Sequence, residues 1–299
     1  MLSAILGNMA VNNFSMVLGI LNGTCNYILS RMTREGADFS DVLKTAQQLG
    51  YAETDPTFDI EGVDTAHKLC LLCSLCFGTW VNLTEIHTEG IGAISSLDIS
   101  FAEAFGYRIK LLAIGKRDGE RIEARVHPTM IPLLHPLADV DGVFNAIRVT
   151  GDFAGPVMLS GRGAGRDATA SAVLGDLLEI ARNLNVGVGR RCAPLGYFDG
   201  QLKRLEMKPM GEITGKYYLR FKVEDRPGAL GRIAGLLGRN GISIQSVIQA
   251  SRKAGEPVPV VLIIHKAPEM DVQRAVTEID ALEIITEQSM LIRIEDNLE

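Results

Sequence analysis

The sequence predicts an α+β protein in two parts: a mixed-sheet unit over residues 1–205 and a ferredoxin-like βαββαβ unit over residues 217–299. Three observations lead there. A series of helical segments is followed by strand-like runs at 110–116, 121–130, 145–150 and 157–160, the order from which α+β sheets are built. The C-terminal part reads strand, helix, strand, strand, helix, strand. Between the two parts, residues 206–216 are polar and punctuated by Pro209, Gly211 and Gly215, as a linker would be.

Taken in order, no charged residue precedes Arg31, and Asn8, Asn12, Asn13 and Asn22 interrupt the apolar stretch. A signal peptide needs a basic start, and a membrane span needs about 20 apolar residues, so the expectation is a cytoplasmic protein. Residues 17–21 read as a buried strand entering a turn at Asn22-Gly23. Helices follow at 24–32 and 39–49, the second with Asp38 or Ser40 as cap and Gly50 at its end. After the acidic stretch at 50–62, a helix runs to about residue 77 and stops at Gly78. Loop is expected to about 101, then a short helix towards 107, then the strands, with a hairpin at Asp118-Gly119. A helix covers 168–183. Past the linker, YYLRFKV alternates as a strand, and Pro227 in DRPG suits a helix start before ALGRIAGLLGRN. GISIQSVIQA and VPVVLIIHKA are strands, MDVQRAVTEID a helix and ALEIITEQSMLIRI the last strand.

With 299 residues, 46% of them hydrophobic and 22% charged, the chain can bury two cores. A net charge of −6 argues against a nucleic-acid partner, and no basic run marks a membrane surface. Of Cys25, Cys70, Cys73, Cys76 and Cys192, three form a CxxCxxC string within KLCLLCSLCFG. Cluster-binding cysteines sit on irregular backbone, whereas these share one face of an apolar helix. They are expected to pack as reduced, small hydrophobes. His67, His87, His127, His135 and His265 show no HxxxH spacing, and no GxSxG or P-loop occurs. No metal is expected.

The most unusual stretch is GYAETDPTFDIEGVDTAHK, residues 50–68, which gathers Glu53, Asp55, Asp59, Glu61 and Asp64 and closes on Lys68. Pro56 and Gly62 rule out regular structure in its first part. Asp64 and Lys68 stand four apart on one helical face, acid before base. An EF-hand reading fails, because counting from Asp55 the sixth and twelfth positions are Ile60 and Ala66. Two readings stay open: a solvated acidic loop, or a site for a small zwitterion in which carboxylates hold an ammonium and the lysine acts on an oxygen. GRGAG at 161–165 before a helix likewise leaves two readings, a close approach to a cofactor or a left-handed turn. It is no complete dinucleotide fingerprint, since Arg166 occupies the place of the third glycine.

GILNGTCNYIL at 19–29, GYAETDPTFDIEGVDTAHK and GRGAGRDATASAVLGD at 161–176 occur in the order in which homoserine dehydrogenases carry similar motifs, and the match covers roughly residues 17–205. DRPGALGRIAGLLGRNGISI resembles an ACT domain. The resemblance implies reversible interconversion of L-homoserine and L-aspartate 4-semialdehyde with NADP or NAD, in threonine and methionine biosynthesis. Carried over by position, it implies Lys68 as the acid/base, oriented by Asp64. Glu53 and Asp59 would hold the substrate ammonium, Gly23 and Thr24 would contact substrate, and Gly163 and Gly165 would lie against the cofactor. The ACT resemblance implies paired copies with an amino acid, threonine first, near Asp225, Gly228, Ala229, Leu230, Asn240 and Ile242. A plain dimerisation role is the other reading, and a homo-oligomer is expected either way.

The sequence departs from the family at its start. Only sixteen residues precede Val17, and MLSAILGNMAVNNFSM holds no glycine fingerprint where the family carries the end of a βαβ dinucleotide fold. The cation-binding loop and a second lysine from that fold are therefore expected to be missing. The helix at 168–183 should expose Ala170, Val173, Leu177 and Ile180 as an adhesive patch, and the isolated chain should be inactive. The alternative is a catalytically silent, amino-acid-binding regulatory subunit.

Overall fold

The structure, a computed structural model, describes residues 2–7, 9–189, 193, 196–197, 200–249 and 257–296. Its first part contains helices α1 (Leu2–Leu6), α2 (Gly23–Glu35), α3 (Phe39–Gln48), α4 (Thr57–Ile60), α5 (Val63–Phe77), α6 (Ser96–Ala104) and α7 (Arg166–Asn185). Strands β1 (Phe14–Ile20), β2 (His87–Thr88), β3 (Tyr107–Asp118), β4 (Arg121–Pro132), β5 (Phe144–Gly151), β6 (Gly155–Arg162) and β7 (Glu206–Met207) belong with them. The second part is β8 (Thr214–Val223), α8 (Ala229–Arg239), β9 (Ile244–Gln249), β10 (Val258–Pro268), α9 (Glu269–Asp280) and β11 (Ile285–Ile294), the βαββαβ order read from the sequence.

Among the described residues the strands form one sheet in the order β6-β5-β1-β3-β4-β11-β8-β10-β9, with β2 and β7 also lying along β4. β1 runs antiparallel to both β3 and β5, Val17 facing Gly115 on one side and Val149 on the other. Its alternate residues feed two cores. Phe14 and Val17 join the main core with Cys25, Ile28, Leu69 and Leu72 of α2 and α5, while Met16, Leu18 and Ile20 join Leu112, Ile114 and Leu137 on the opposite face. The predicted hairpin closes where Asp118 faces Arg121.

Local chemistry adjusts several boundaries. No separate turn forms at Asn22-Gly23: α2 begins at Gly23 itself, and the Asn22 side chain accepts from Cys25 N at 2.8 Å as its cap. The acidic stretch carries one helical turn, α4, after Pro56, where proline's missing N–H costs nothing. Its Asp55 accepts from the backbone and hydroxyl of Thr57. α6 begins at Ser96 rather than 101, because Ser95 and Asp98 form a reciprocal capping box. Residues 281–284 lie outside the last strand, with Ala281 as the C-cap of α9.

In the C-terminal unit β8 pairs with β11 and β10, and α8 and α9 cover one face around Tyr217, Leu219, Ile233, Val272 and Ile279. Its other face contributes Tyr218, Val261, Ile263 and Ile292 to the main core of the first unit. β11 also pairs in parallel with β4, through Arg293 with Thr129 and Ile294 with Met130. Residues 206–216, expected as a linker, are held on the sheet: β7 pairs with β4, Lys208 donates to Glu123, and Ile213 is buried.

Candidate active site

The acidic stretch brings part of its predicted constellation together, and a residue from β1's exit completes it. Lys68, in the second turn of α5, donates to Asp64 Oδ2 at 2.6 Å and to the Leu21 carbonyl at 2.9 Å. Asn22, 6% exposed, places its amide between the two acids, donating to Asp59 Oδ1 at 2.8 Å and Asp64 Oδ2 at 2.9 Å. Burial and then the carboxylates of Asp59, Asp64 and Glu61 raise the neighbouring Cys25 thiol far above its ordinary value, a mark of the negative field here. Cys25 Sγ lies 3.1 Å from the Asp59 carbonyl.

The loop is braced from behind. The Ile91 N–H donates to the Ile60 carbonyl at 2.9 Å, and Gly90 lies so close that a Cβ there would sit 2.4 Å from that carbonyl and 2.7 Å from Glu61 Cα. Glu53 is exposed, and its backbone carbonyl accepts from Gln47, so among the described residues its carboxylate joins no ion pair with the others. The Thr24 hydroxyl is committed to the Tyr51 carbonyl at 2.7 Å. Gly23 and Thr24 instead form the first turn of α2, whose N–H groups have no intrahelical acceptor.

Lys68 opens onto a cavity of about 270 Å³ lined by Leu2, Leu21, Leu71, Leu72, Asn145, Ile147 and Gly163. The predicted GRGAG loop is thus brought to the lysine, Gly163 lining the cavity and Gly165 standing as the N-cap of α7 at φ +110°. A Cβ at Gly163 would fall 2.6 Å from Asn145 Cγ, so a side chain there would push the Asn145 amide aside. Apolar walls with one cationic corner and a bare backbone edge fit a flat, polar-edged ring such as nicotinamide. Sequence reasoning missed Asn22 and Asn145. Asn22 carried a signal, an Asn just before a helix, that was read as a turn; Asn145 carried none.

Cys73 and Cys76 are buried in the main core and Cys70 packs half-buried against it; burial pushes the Cys76 thiol up to about 12. Cys192 lies outside the described residues. The expected patch on α7 is present and wider than Val173, Leu177 and Ile180: Leu174, Leu178 and Leu184 are also more than half exposed. No helix among the described residues is long and apolar enough to cross a membrane.

In the C-terminal unit a cavity of about 320 Å³ is lined by Asp225, Gly228, Ala229 and Leu230 with Gln249 and Val260. Asn240 and Ile242 are not there. Asn240 caps the far end of α8, eleven residues or about 16 Å away, and Ile242 is buried in the core.

Comparison with known proteins decides the family. The homoserine dehydrogenase family model matches residues 1–178, and the ACT domain model matches 217–284. The homoserine dehydrogenase of Neisseria gonorrhoeae is 43% identical over 294 residues, 98% of this chain and 68% of that protein. This chain belongs to the homoserine dehydrogenase family. The Pseudomonas aeruginosa homoserine dehydrogenase is 39% identical, again with 68% of its length covered, so the chain spans about two thirds of these relatives. The crystal structure of a homoserine dehydrogenase from Thiobacillus denitrificans superimposes with a TM-score of 0.91 at 42% identity, over 99% of this chain and 67% of that one. A hyperthermophilic archaeal homoserine dehydrogenase in complex with NADPH matches 61% of this chain with a TM-score of 0.52 at 26% identity. Homoserine dehydrogenases are NAD(P)-dependent oxidoreductases of amino-acid biosynthesis, and this chain combines that fold with an ACT domain.

Proposed function

We propose that residues 1–205 form the homoserine-binding half of the active site and that residues 217–299 are its amino-acid-sensing domain. The observation that carries the first part is the single cavity shared by Lys68 and Gly163. Homoserine or aspartate semialdehyde lies with its ammonium toward Glu53 and Asp59 and its carboxylate toward the free N–H groups of Gly23 and Thr24, where the positive end of α2 favours an anion. When bound beside Gly163 and Gly165, NADP or NAD would supply or accept the hydride at C4. Lys68, oriented by Asp64 and the Leu21 carbonyl, gives a proton to the C4 oxygen in reduction and withdraws it in oxidation. Asp64 holds the ammonium in place between turnovers.

The amino-acid effector, threonine first, binds along residues 225–230. The separate position of Asn240 and Ile242 is accounted for if a second copy, paired side by side, brings its α8 end to that cavity. Tight cofactor binding needs a dinucleotide-binding unit seated on the apolar surface of α7, so a polypeptide of residues 1–299 alone binds NADPH weakly and does not turn over homoserine.

Calorimetric titration of this polypeptide with homoserine, NADPH and threonine tests the reading. Heat is expected for homoserine, abolished by Asp59→Asn, and for threonine, with little for NADPH. Heat for threonine alone would identify a silent regulatory subunit, and turnover by the purified polypeptide would require a cofactor site elsewhere in it.

A further inference from the structure

Asn145 is the second residue of β5 and 9% exposed, yet its side-chain amide makes no hydrogen bond among the described residues. Only its backbone carbonyl is engaged, accepting from the Ser160 hydroxyl at 3.2 Å. Its polar atoms are not sealed off, since none of them is among the fully buried, unpartnered atoms; they open into a cavity, where a ligand can take the place of water. Asn145 lines the cavity onto which Lys68 opens. Its amide is packed flat onto Gly163: a Cβ on that glycine would come within 2.8 Å of its Cγ, Oδ1 and Nδ2 alike. On the other side Oδ1 lies 3.6 Å from where a Cβ of Gly23 would stand. The unmatched amide therefore sits between the helix start proposed for substrate and the loop proposed for cofactor, in a cavity otherwise walled by Leu21, Leu71, Leu72 and Ile147.

We propose that Asn145 is the residue that recognises the carboxamide of the nicotinamide ring. An asparagine amide offers one acceptor and two donors in a plane, and a carboxamide offers the same set, so the two form a paired, two-point contact that neither a carboxylate nor an alcohol reproduces. Leu71, Leu72 and Ile147 take the ring's apolar faces, and Gly163 lets the ring's edge approach the backbone. The assignment also explains why position 163 is a glycine: any side chain would displace the amide from the ligand. It rests on the reading of this cavity as the nicotinamide site, and the test separates the two.

The polypeptide of residues 1–299, labelled at Ile, Leu and Val methyls, is titrated by NMR with reduced nicotinamide mononucleotide and with its 3-acetylpyridine analogue, which keeps the carbonyl and lacks the NH₂. Shifts at Leu71, Leu72 and Ile147 report occupancy of the cavity, and the rest of the methyl spectrum reports the fold. The wild type is expected to bind the carboxamide ligand about 3- to 10-fold more tightly, the worth of one net hydrogen bond. Asn145→Ala and Asn145→Ser are expected to bind the two ligands alike, at unchanged thermal stability, since the amide they remove holds nothing in the free chain. A preference that survives both substitutions overturns the assignment to Asn145 while leaving the cavity as a nicotinamide site. Because binding to this polypeptide is weak, the titration runs to millimolar ligand; absence of shifts at the cavity methyls with either ligand there overturns both. Loss of homoserine binding in the variants, with the carboxamide preference intact, gives Asn145 to the substrate instead and overturns the proposal.

Discussion

A half-exposed lysine is an unusual anchor, and its geometry separates its two possible contributions. Lys68 is 47% exposed and Asp64 20%, so their 2.6 Å pair adds little to stability; exposed pairs contribute about 0–1 kcal/mol. Its chemistry is another matter, because the ammonium is held by two acceptors at the edge of the cavity. In the enzyme assembled with a dinucleotide-binding unit, Lys68→Ala is expected to lower kcat by about 10²–10⁴-fold. The melting temperature should scarcely move. Steady-state kinetics and thermal unfolding on the same preparation check both halves, and near-normal turnover would remove Lys68 from the mechanism. At this scale the motif was legible: type and spacing in 50–68 put Asp64 and Lys68 together, as the ion pair confirms. Asn22 was not read as a bridge, since nothing in a linear sequence shows that an amide leaving β1 meets carboxylates about forty residues later.

Elements fixed in place by backbone contact set the loop that carries the acids. Gly90 and Ile91 brace Ile60 and Glu61 from behind, with no room for a methyl group. Gly90→Ala should push that loop away and destabilise the fold by about 1–3 kcal/mol, the usual cost of overpacking. Urea unfolding measures the cost; unchanged stability with unchanged homoserine binding would show that the loop yields freely. α7 presents the opposite case, since 20 residues carry exposed apolar side chains around most of the helix. Leu177→Gln together with Leu178→Gln, at positions 55% and 57% exposed, should reduce self-association and leave stability within about 0.5 kcal/mol. Light scattering and thermal unfolding decide it, and a drop of several kcal/mol would place α7 in the core of the free chain.

Buried ionic clusters join the two units, two of them centred on Asp98 and Arg293. Asp98, fully buried on α6, accepts from the Tyr218 hydroxyl at 2.9 Å and from Arg220 at 2.6 and 3.0 Å. Arg293, 6% exposed on β11, binds Glu89 of the first unit at 2.8 and 2.9 Å and Glu269 of the second at 2.6 and 3.0 Å. His127 lies beneath, wholly buried; burial, then Arg293 and Arg125, hold its imidazole well below the usual value and therefore neutral. Burial alone would raise the Glu89 carboxyl, but His87 and Arg293 outweigh it and leave it far below the usual carboxylate range. Both shifts point the same way. Unfolded His127 takes up a proton below about 6.5 while the folded residue does not, so its contribution is full above that pH and falls by up to about 1.4 kcal/mol per unit below it. Glu89 adds a second loss below about 4.5, where its unfolded carboxyl protonates first. Urea unfolding between pH 8 and 5 should show the decline beginning near 6.5, and His127→Gln should flatten that upper part. Constant stability across the range in the wild type would mean that His127 is charged in the fold.

The βαββαβ order, the hairpin, α5 with its acid–base pair and the burial of the cysteine string follow from period, punctuation and composition, because each depends on residues close in sequence. What brought Gly163 and Asn145 to Lys68 is the pairing of β5 with β1 and β6, a long-range register that side-chain alternation alone does not specify. The join of the two units was likewise invisible. A polar stretch with proline and glycine reads as a tether, and only the sheet itself, with β7 and β11 both laid along β4 and Arg293 bonded to both sides, makes it part of one body. Local preferences determine elements; which elements meet is decided by the apolar faces they must bury and the charges that must be paired once buried.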